Sequence, residues 1–371
     1  MGHKDVIAAA RRLTRQVWVG TVAVGGGAPI SVQSMTNTDT RDVPATSAQI
    51  AALAAAGADL VRVSCPDADA ARAMAALVAA SPVPLIADIH FDHRLAMLAL
   101  EAGVQGLRIN PGNIGGMERV REVVRAARER RVPIRIGVNA GSLERDLLER
   151  FGEPCPEAMV ASALGHIRIL EDLDYPEIKV SLKASAVGMT VRAYRLLSAQ
   201  VDYPLHLGIT EAGGLVGGSV KSAIGLGLLL SEGIGDTLRV SLTTDPVEEV
   251  RVGFEILKAL GLRSRGVNIV SCPTCARQEF PVIDVVAALE RRLSHVREAV
   301  TLSVIGCVVN GPGEARESLV GVVGGRGDNL LYRLGQPAGK LADGDLVDQL
   351  VREVEAAAAR IREQQQATTP S

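Results

Sequence analysis

Eight times in the first 260 residues, a short run rich in β-branched residues is followed by a stretch whose apolar residues recur at helical spacing. The short runs are "PISVQSMTN", "DLVRVSC", "PLIADIH", "GLRINPG", "PIRIGVNA", "EIKVSLKAS", "PLHLGITEAGG" and "TLRVSLTTD". Between them lie segments such as "SAQIAALAAAGAD" and "DPVEEVRVGFEILKALGL", several of which close on glycine, as helix ends prefer. Eight βα units in succession predict a closed parallel (β/α)8 TIM barrel over residues 1–265. An open doubly wound sheet is the alternative, but it more often carries a glycine-rich turn after its first strand, and "VQSMTNTDT" has none.

In a barrel, the residues that end the strands converge on one face, where such folds keep their active sites. Here those residues are Asn37, Arg62 and Ser64, Asp88 and His90, Arg108 and Asn110, Arg135 and Asn139, Lys183 and Ser185, Glu211, and Arg239 and Ser241. Five cations aimed into one mouth repel one another unless carboxylates or a polyanion offset them. A phosphorylated or diphosphorylated substrate fits, because guanidinium forks take phosphate oxygens in pairs. The alternative is that each arginine is satisfied by a strand-end carboxylate such as Asp88. Glu211, followed by Gly213 and Gly214, is open to two readings, a proton donor or acceptor and a plain counter-charge.

After "LRSRG" the pattern resets into a small α/β domain over residues 266–371. "VNIVSCPTCARQ" reads as strand then loop, "FPVIDVVAALERRL" as helix, and "VTLSVIGCVVNGPGEA" as strand then a Gly/Pro-rich loop. Residues 363–371, "EQQQATTPS", have too little apolar content to pack and are expected to lack structure. Cys272 and Cys275 form a lone C-x-x-C, and Cys307 follows 32 residues after Cys275. All three end strands, so neighbouring strands would gather them. Three thiolates suit zinc with a fourth ligand, or an iron–sulfur cluster with one iron left for an oxygen donor. The domain's histidine, His295, is not at a usual zinc spacing, and Glu314, seven residues after Cys307, is the nearest carboxylate of the second motif. Cys65 and Cys155 read as unliganded thiols.

Charge and hydropathy bound the rest. Forty basic against 42 acidic residues give a net charge of −2, with no global field for nucleic acid or an anionic membrane. No apolar run approaches the roughly 20 residues of a membrane span, and the N-terminus lacks a signal-peptide core. A cytoplasmic protein is expected, in a compartment where cysteines bind metal or react more often than they form structural disulfides.

The stretches "VQSMTNTDTRDVPAT", "ADIHFDHRLA", "LRINPGNIG", "IRIGVNAGSLE", "KVSLKAS", "HLGITEAGG", "CPTCARQEFPVI" and "IGCVVNGPGEA" closely resemble the bacterial 4-hydroxy-3-methylbut-2-enyl diphosphate synthases, over about residues 5–360. The resemblance implies a two-domain oxidoreductase of isoprenoid biosynthesis by the methylerythritol phosphate pathway. It would reductively open 2-C-methyl-D-erythritol 2,4-cyclodiphosphate, using two electrons from flavodoxin or ferredoxin. It also implies a 4Fe-4S cluster held by Cys272, Cys275, Cys307 and Glu314. Arg62, Arg108, Arg135, Lys183 and Arg239 would contact the diphosphate, with His90, Asn139 and Ser241 nearby, and Glu211 would be the acid–base residue. Finally, it implies a head-to-tail homodimer in which each cluster caps the partner's barrel.

Overall fold

The computed structural model describes residues 9–325 and 328–368. The chain divides into two compact units between Arg263 and Ser264.

The first unit opens with an antiparallel hairpin, β1 (Gln16–Val19) and β2 (Val22–Gly25), which the eightfold rhythm does not foreshadow. Eight parallel strands follow: β3 (Ser31–Met35), β4 (Leu60–Ser64), β5 (Leu85–Asp88), β6 (Gly106–Arg108), β7 (Ile134–Asn139), β8 (Ile178–Lys183), β9 (His206–Leu207) and β10 (Thr237–Leu238). Their order is β8-β7-β6-β5-β4-β3-β10-β9. An isolated parallel bridge between Val180 and Leu205 joins the two edge strands, so the sheet comes round into a TIM barrel. The hairpin covers its N-terminal end, where Val17, Val19 and Val24 pack on Leu60 and Ile86.

Four of the barrel's helices are each started by an aspartate that immediately precedes them. Asp42, Asp67, Asp92 and Asp245 accept hydrogen bonds from the backbone N–H groups of Ala45, Ala70, Arg94 and Val247, satisfying donors that a helix leaves free at its start. The outward strand residues, Val32, Val61, Val63, Ala87, Leu107 and Ile136 among them, form one apolar layer with those helices. The inward positions are different. Gln33, Arg135, Lys179, Ser181, Lys183 and His206 are all buried there, where barrels of this type ordinarily stack branched aliphatics.

The second unit is a five-stranded sheet in the order β11 (Val267–Ser271), β12 (Val300–Ile305), β13 (Val320–Val323), β14 (Asn329–Arg333) and β15 (Gln336–Leu341). The first three strands are parallel and the last two antiparallel. Leu302, Val304, Val320 and Val322 make its core with Val285 and Leu289 of the helix Val282–Arg292 and with Leu350 and Val354 of the helix Leu346–Thr368. Two sequence expectations are corrected here. The segment after Cys307, read as loop, contains the short helix Gly311–Arg316, which Pro312 helps to start. The segment "EQQQATTPS" does not wholly lack structure, because the last helix runs on to Thr368. Residues 362–367 are exposed, so they pack little, but Glu, Gln and Ala carry high helix propensity on an established helix. Residues 369–371 lie outside the described part. Among the described residues no helix is long and apolar enough to cross a membrane.

Candidate active site and candidate metal centre

The C-terminal ends of the barrel strands surround a cavity of about 240 Å³. Arg62, His90, Arg108, Arg135, Asn139, Lys183, Arg239 and Ser241 all line it, together with Asp88, Ser181 and Thr210. Ser181 and Thr210 were not singled out by sequence, although Ser181 lies two residues before Lys183 on the same strand face. Asn37, Ser64, Asn110 and Ser185 do not line the cavity. Asn37 hydrogen-bonds with Gln49, and Asn110 accepts from the Gly137 N–H at 2.9 Å.

One carboxylate serves several cations in the mouth. Asp88 lies 3.7 Å from Arg62, 3.5 Å from Arg108 and 3.6 Å from His90. Burial alone would raise its pKa, but Arg62, His90 and Arg108 prevail and hold it well below the usual carboxylate range. Arg108 also donates to the carbonyl of Gly137 at 2.9 Å and contacts His90 Nδ1 at 3.0 Å. Arg239 pairs with Glu249 of the helix Pro246–Ala259 at 3.2 Å, a counter-ion that strand-end reading could not find because it comes from a helix. Arg62 additionally points at the sulfur of Met35.

Arg135 and Lys183 have no such carboxylate. Arg135 donates to Ser181 Oγ at 2.6 Å, while its Nε and Nη2 are buried without a partner. Burial, reinforced by neighbouring guanidinium groups, drives the pKa values of both residues well below their ordinary values, and that of Arg62 down to about 10. Two glycines make room for this crowd. A Cβ on Gly137 would lie 2.5 Å from Arg108 Nε, and one on Gly208 would lie 2.7 Å from Lys183 Nζ. The result is a small polar chamber with more cations than carboxylates and with unused donors, which is the make-up of an anion site.

Glu211 stands apart. It is exposed at the rim and does not line the cavity, although Thr210 beside it does. Its φ of +52° puts a non-glycine residue in the left-handed region, just before Gly213 at +110°. A larger recess of about 980 Å³ opens on the opposite, N-terminal side of the barrel, near Trp18, Val104 and Glu177. Two of its arginines are already engaged, Arg128 with the carbonyls of Leu173 and Asp174 and Arg130 with Glu129, and it gathers none of the strand-end residues.

In the second unit, β11 and β12 are adjacent and parallel, so Cys272 and Cys307, one and two residues past their ends, share one sheet edge. Cys272 Sγ accepts the Gly306 N–H at 3.3 Å. The N–H groups of Val309 and Asn310, with Arg277, hold the Cys307 thiol below its ordinary pKa and favour thiolate. Cys275 and Glu314 are exposed on the adjoining loop and short helix, and among the described residues no three His, Cys, Asp or Glu side chains are gathered tightly enough to hold a metal ion. The donor set suits a cluster: three sulfurs, two of them already facing N–H donors, and one hard oxygen donor. His295 instead faces Glu355 at 3.2 Å. Cys65 is buried, its pKa pushed up to about 12 chiefly by that burial, and Cys155 accepts the Ala158 N–H at the start of a helix. Both are free thiols.

Two family models match the chain, the GcpE TIM-barrel domain over residues 14–254 and the GcpE protein C-terminal domain over residues 268–356. A protein of Magnetococcus marinus named 4-hydroxy-3-methylbut-2-en-1-yl diphosphate synthase (flavodoxin) is 74% identical over 362 residues, 98% of this chain and 98% of its own. The chain belongs to this family. A Geobacter sulfurreducens protein of the same name is 62% identical over 342 residues, 92% of this chain and 97% of its own. Among solved structures, a 3-dehydroquinate dehydratase from Geobacillus kaustophilus covers 67% of this chain and 98% of its own at 16% identity and a TM-score of 0.48.

Proposed function

We propose that the chain is a 4-hydroxy-3-methylbut-2-enyl diphosphate synthase, which takes 2-C-methyl-D-erythritol 2,4-cyclodiphosphate and two electrons and gives the open allylic diphosphate and water. The relatives' shared name and the two family matches support the activity. The observation that carries the substrate reading is the cation-rich chamber, in which Arg135 keeps two buried donor atoms unused.

In this reading Arg62, Arg108, Arg135, Lys183 and Arg239 hold the cyclic diphosphate and stabilise the charge that grows on the phosphate oxygen as the ring C–O bond breaks. His90, Asn139 and Ser241 orient the carbon skeleton with hydrogen bonds. Glu211, on its left-handed turn, gives a proton to the departing hydroxyl, which leaves as water. Cys272, Cys275, Cys307 and Glu314 hold a 4Fe-4S cluster, which supplies the two electrons singly when bound. Flavodoxin, or ferredoxin in its place, delivers them, and the relatives' names favour flavodoxin.

We further infer a head-to-tail homodimer, with the cysteine motifs of one protomer serving the partner's barrel. The helix Pro246–Ala259 runs back toward the face opposite the mouth, and residues 260–266 alone separate it from β11. A cytoplasmic location fits the five free thiols.

Protein purified without oxygen should absorb broadly in the visible, bleach on reduction, and show an electron paramagnetic resonance signal that the cyclic diphosphate alters. Cys272→Ser, Cys275→Ser and Cys307→Ser should each lose that absorption. A colourless protein that binds zinc, and stays so after reconstitution with iron and sulfide, would overturn the reading.

A further inference from the structure

Below the chamber, the barrel interior contains a second layer of charge that no step above uses. Lys179, Ser181 and Lys183 alternate along β8, and Arg135, Gly137 and Asn139 along β7, with Arg135 directly opposite Lys179 and Asn139 opposite Lys183. Lys183, Ser181, Asn139 and Arg135 line the cavity, whereas Lys179, one layer below Ser181, does not. His206 faces it from β9, buried, with Nδ1 at 3.4 Å from Thr237 Oγ1 of β10 and Nε2 without a partner. Gln33, at an inward position of β3, is buried with its amide unpartnered. Tyr194, from the helix Val187–Ser198, accepts the Leu182 N–H and donates to the His206 carbonyl.

No buried carboxylate of this unit is left to neutralise Lys179. Asp88 faces Arg62, Arg108 and His90, Glu249 faces Arg239, and Asp236 faces Arg11. An ammonium at this depth, beside Arg135, has no buried carboxylate to balance it. A dianion arriving one layer above would supply that balance.

We propose that Lys179 takes a proton from solvent when the cyclic diphosphate enters the chamber, so that substrate binding and proton uptake are one coupled event. This rests on the substrate reading above. Burial first, and then Arg135, lower the Lys179 pKa to about 7 in the free protein, which leaves its amine largely neutral in mildly alkaline solution. His206, pushed well below its ordinary value by burial and by Lys183, is neutral there as well. The substrate cannot supply the proton change itself, because each phosphorus of a cyclic diphosphate carries one strongly acidic oxygen and nothing that titrates near neutrality. Lys183, also depressed, is a second acceptor at the cavity wall, and Lys179 is the one that touches no substrate atom.

The test is calorimetric titration of the oxidised, anaerobic holoenzyme with the cyclic diphosphate, without reductant, in two buffers of different ionisation enthalpy at about pH 8, where roughly nine-tenths of an amine of pKa 7 is neutral. Wild type should take up protons as substrate binds, and Lys179→Met should take up about half to nine-tenths of a proton less. Affinity should fall as pH rises from about 7 to 9, by about tenfold per unit for each proton taken up, and less steeply in the variant. Equal uptake by wild type and variant would overturn the proposal. Were that variant not to fold, Lys179→Arg would take its place, since a guanidinium stays charged at about pH 8 and should show the same deficit. Absence of any binding heat would instead refute the substrate reading, and this inference with it.

Discussion

Gly137→Ala tests whether the chamber is shaped by what its glycines leave out. The new Cβ would stand 2.5 Å from Arg108 Nε and 2.8 Å from Nη2, against the roughly 3.5 Å of an ordinary carbon–nitrogen contact, so the guanidinium must move by about 1 Å. It has little freedom to do so, since the buried Arg108 donates to Gly137 O and also meets His90 and the buried Asp88. Displaced, it would lose the aim of the charge-assisted hydrogen bond proposed for it to the diphosphate, worth about 1.5–3 kcal/mol, or about a 10- to 100-fold rise in substrate Kd. A misplacement of this size at a reacting centre costs kcat as well, on the order of 100-fold. Thermal unfolding of the apoprotein should also shift down, since overpacking a buried site costs about 1–3 kcal/mol, so Kd is read well below the melting range. The assay is substrate titration of the anaerobic holoenzyme, followed by steady-state turnover with reduced flavodoxin. Gly165→Ala is the matched control, since a Cβ there meets nothing within 4 Å and alanine suits its helix. Wild-type Kd in Gly137→Ala would refute both the role of Arg108 and the reasoning from packing.

Two further outcomes follow from the same charges. Asp88→Asn leaves Arg62 and Arg108 buried without their shared carboxylate, so the apoprotein should lose about 3 kcal/mol at neutral pH and melt several degrees lower, with the cyclic diphosphate restoring part of the loss. Because the pKa of Asp88 is depressed in the fold, its contribution is present above the unfolded value of about 3.9 and is lost as pH falls through the lower folded value; acid melts of wild type and variant should therefore converge below about pH 4. Glu211→Gln should keep substrate affinity and lose about 100- to 10,000-fold in kcat, since Glu211 lies outside the cavity lining. A raised KM with kcat intact would make it a binding residue instead.

What the sequence made legible was whatever repeats or ends a strand. The eight βα units and the convergence of Arg62, Arg108, Arg135, Lys183 and Arg239 follow from periodicity alone, because parallel barrel strands must point their ends the same way. Adjacent parallel β11 and β12 likewise bring Cys272 and Cys307 to one edge, as two strand-ending motifs imply. Less legible was anything decided by how deep a side chain sits. Glu249 reaches Arg239 from a helix face, and Ser181 and Lys179 lie on β8 below the end that draws attention. Sequence leaves Glu211 open between an acid–base group and a counter-charge, with glycines soon after it and cations ending the other strands. Its left-handed turn carries it to the rim, and no spacing rule reports the sign of φ.

The inward face of the barrel also explains why a site of this kind is costly to build. Arg135, Lys179, Lys183 and His206 occupy positions where aliphatic residues would strengthen the core, and each is buried without a carboxylate of its own. The fold tolerates them by lowering their pKa values, so that part of the set is neutral until a counter-charge arrives. An anion entering the chamber therefore meets donors already positioned, and its binding energy is used in part to protonate and settle a destabilised interior. Selectivity follows from the same physics. A neutral ligand of the same shape would leave the guanidinium groups desolvated and uncompensated, and a monoanion would compensate them only in part, whereas two phosphates at once match both the layer that touches them and the layer beneath.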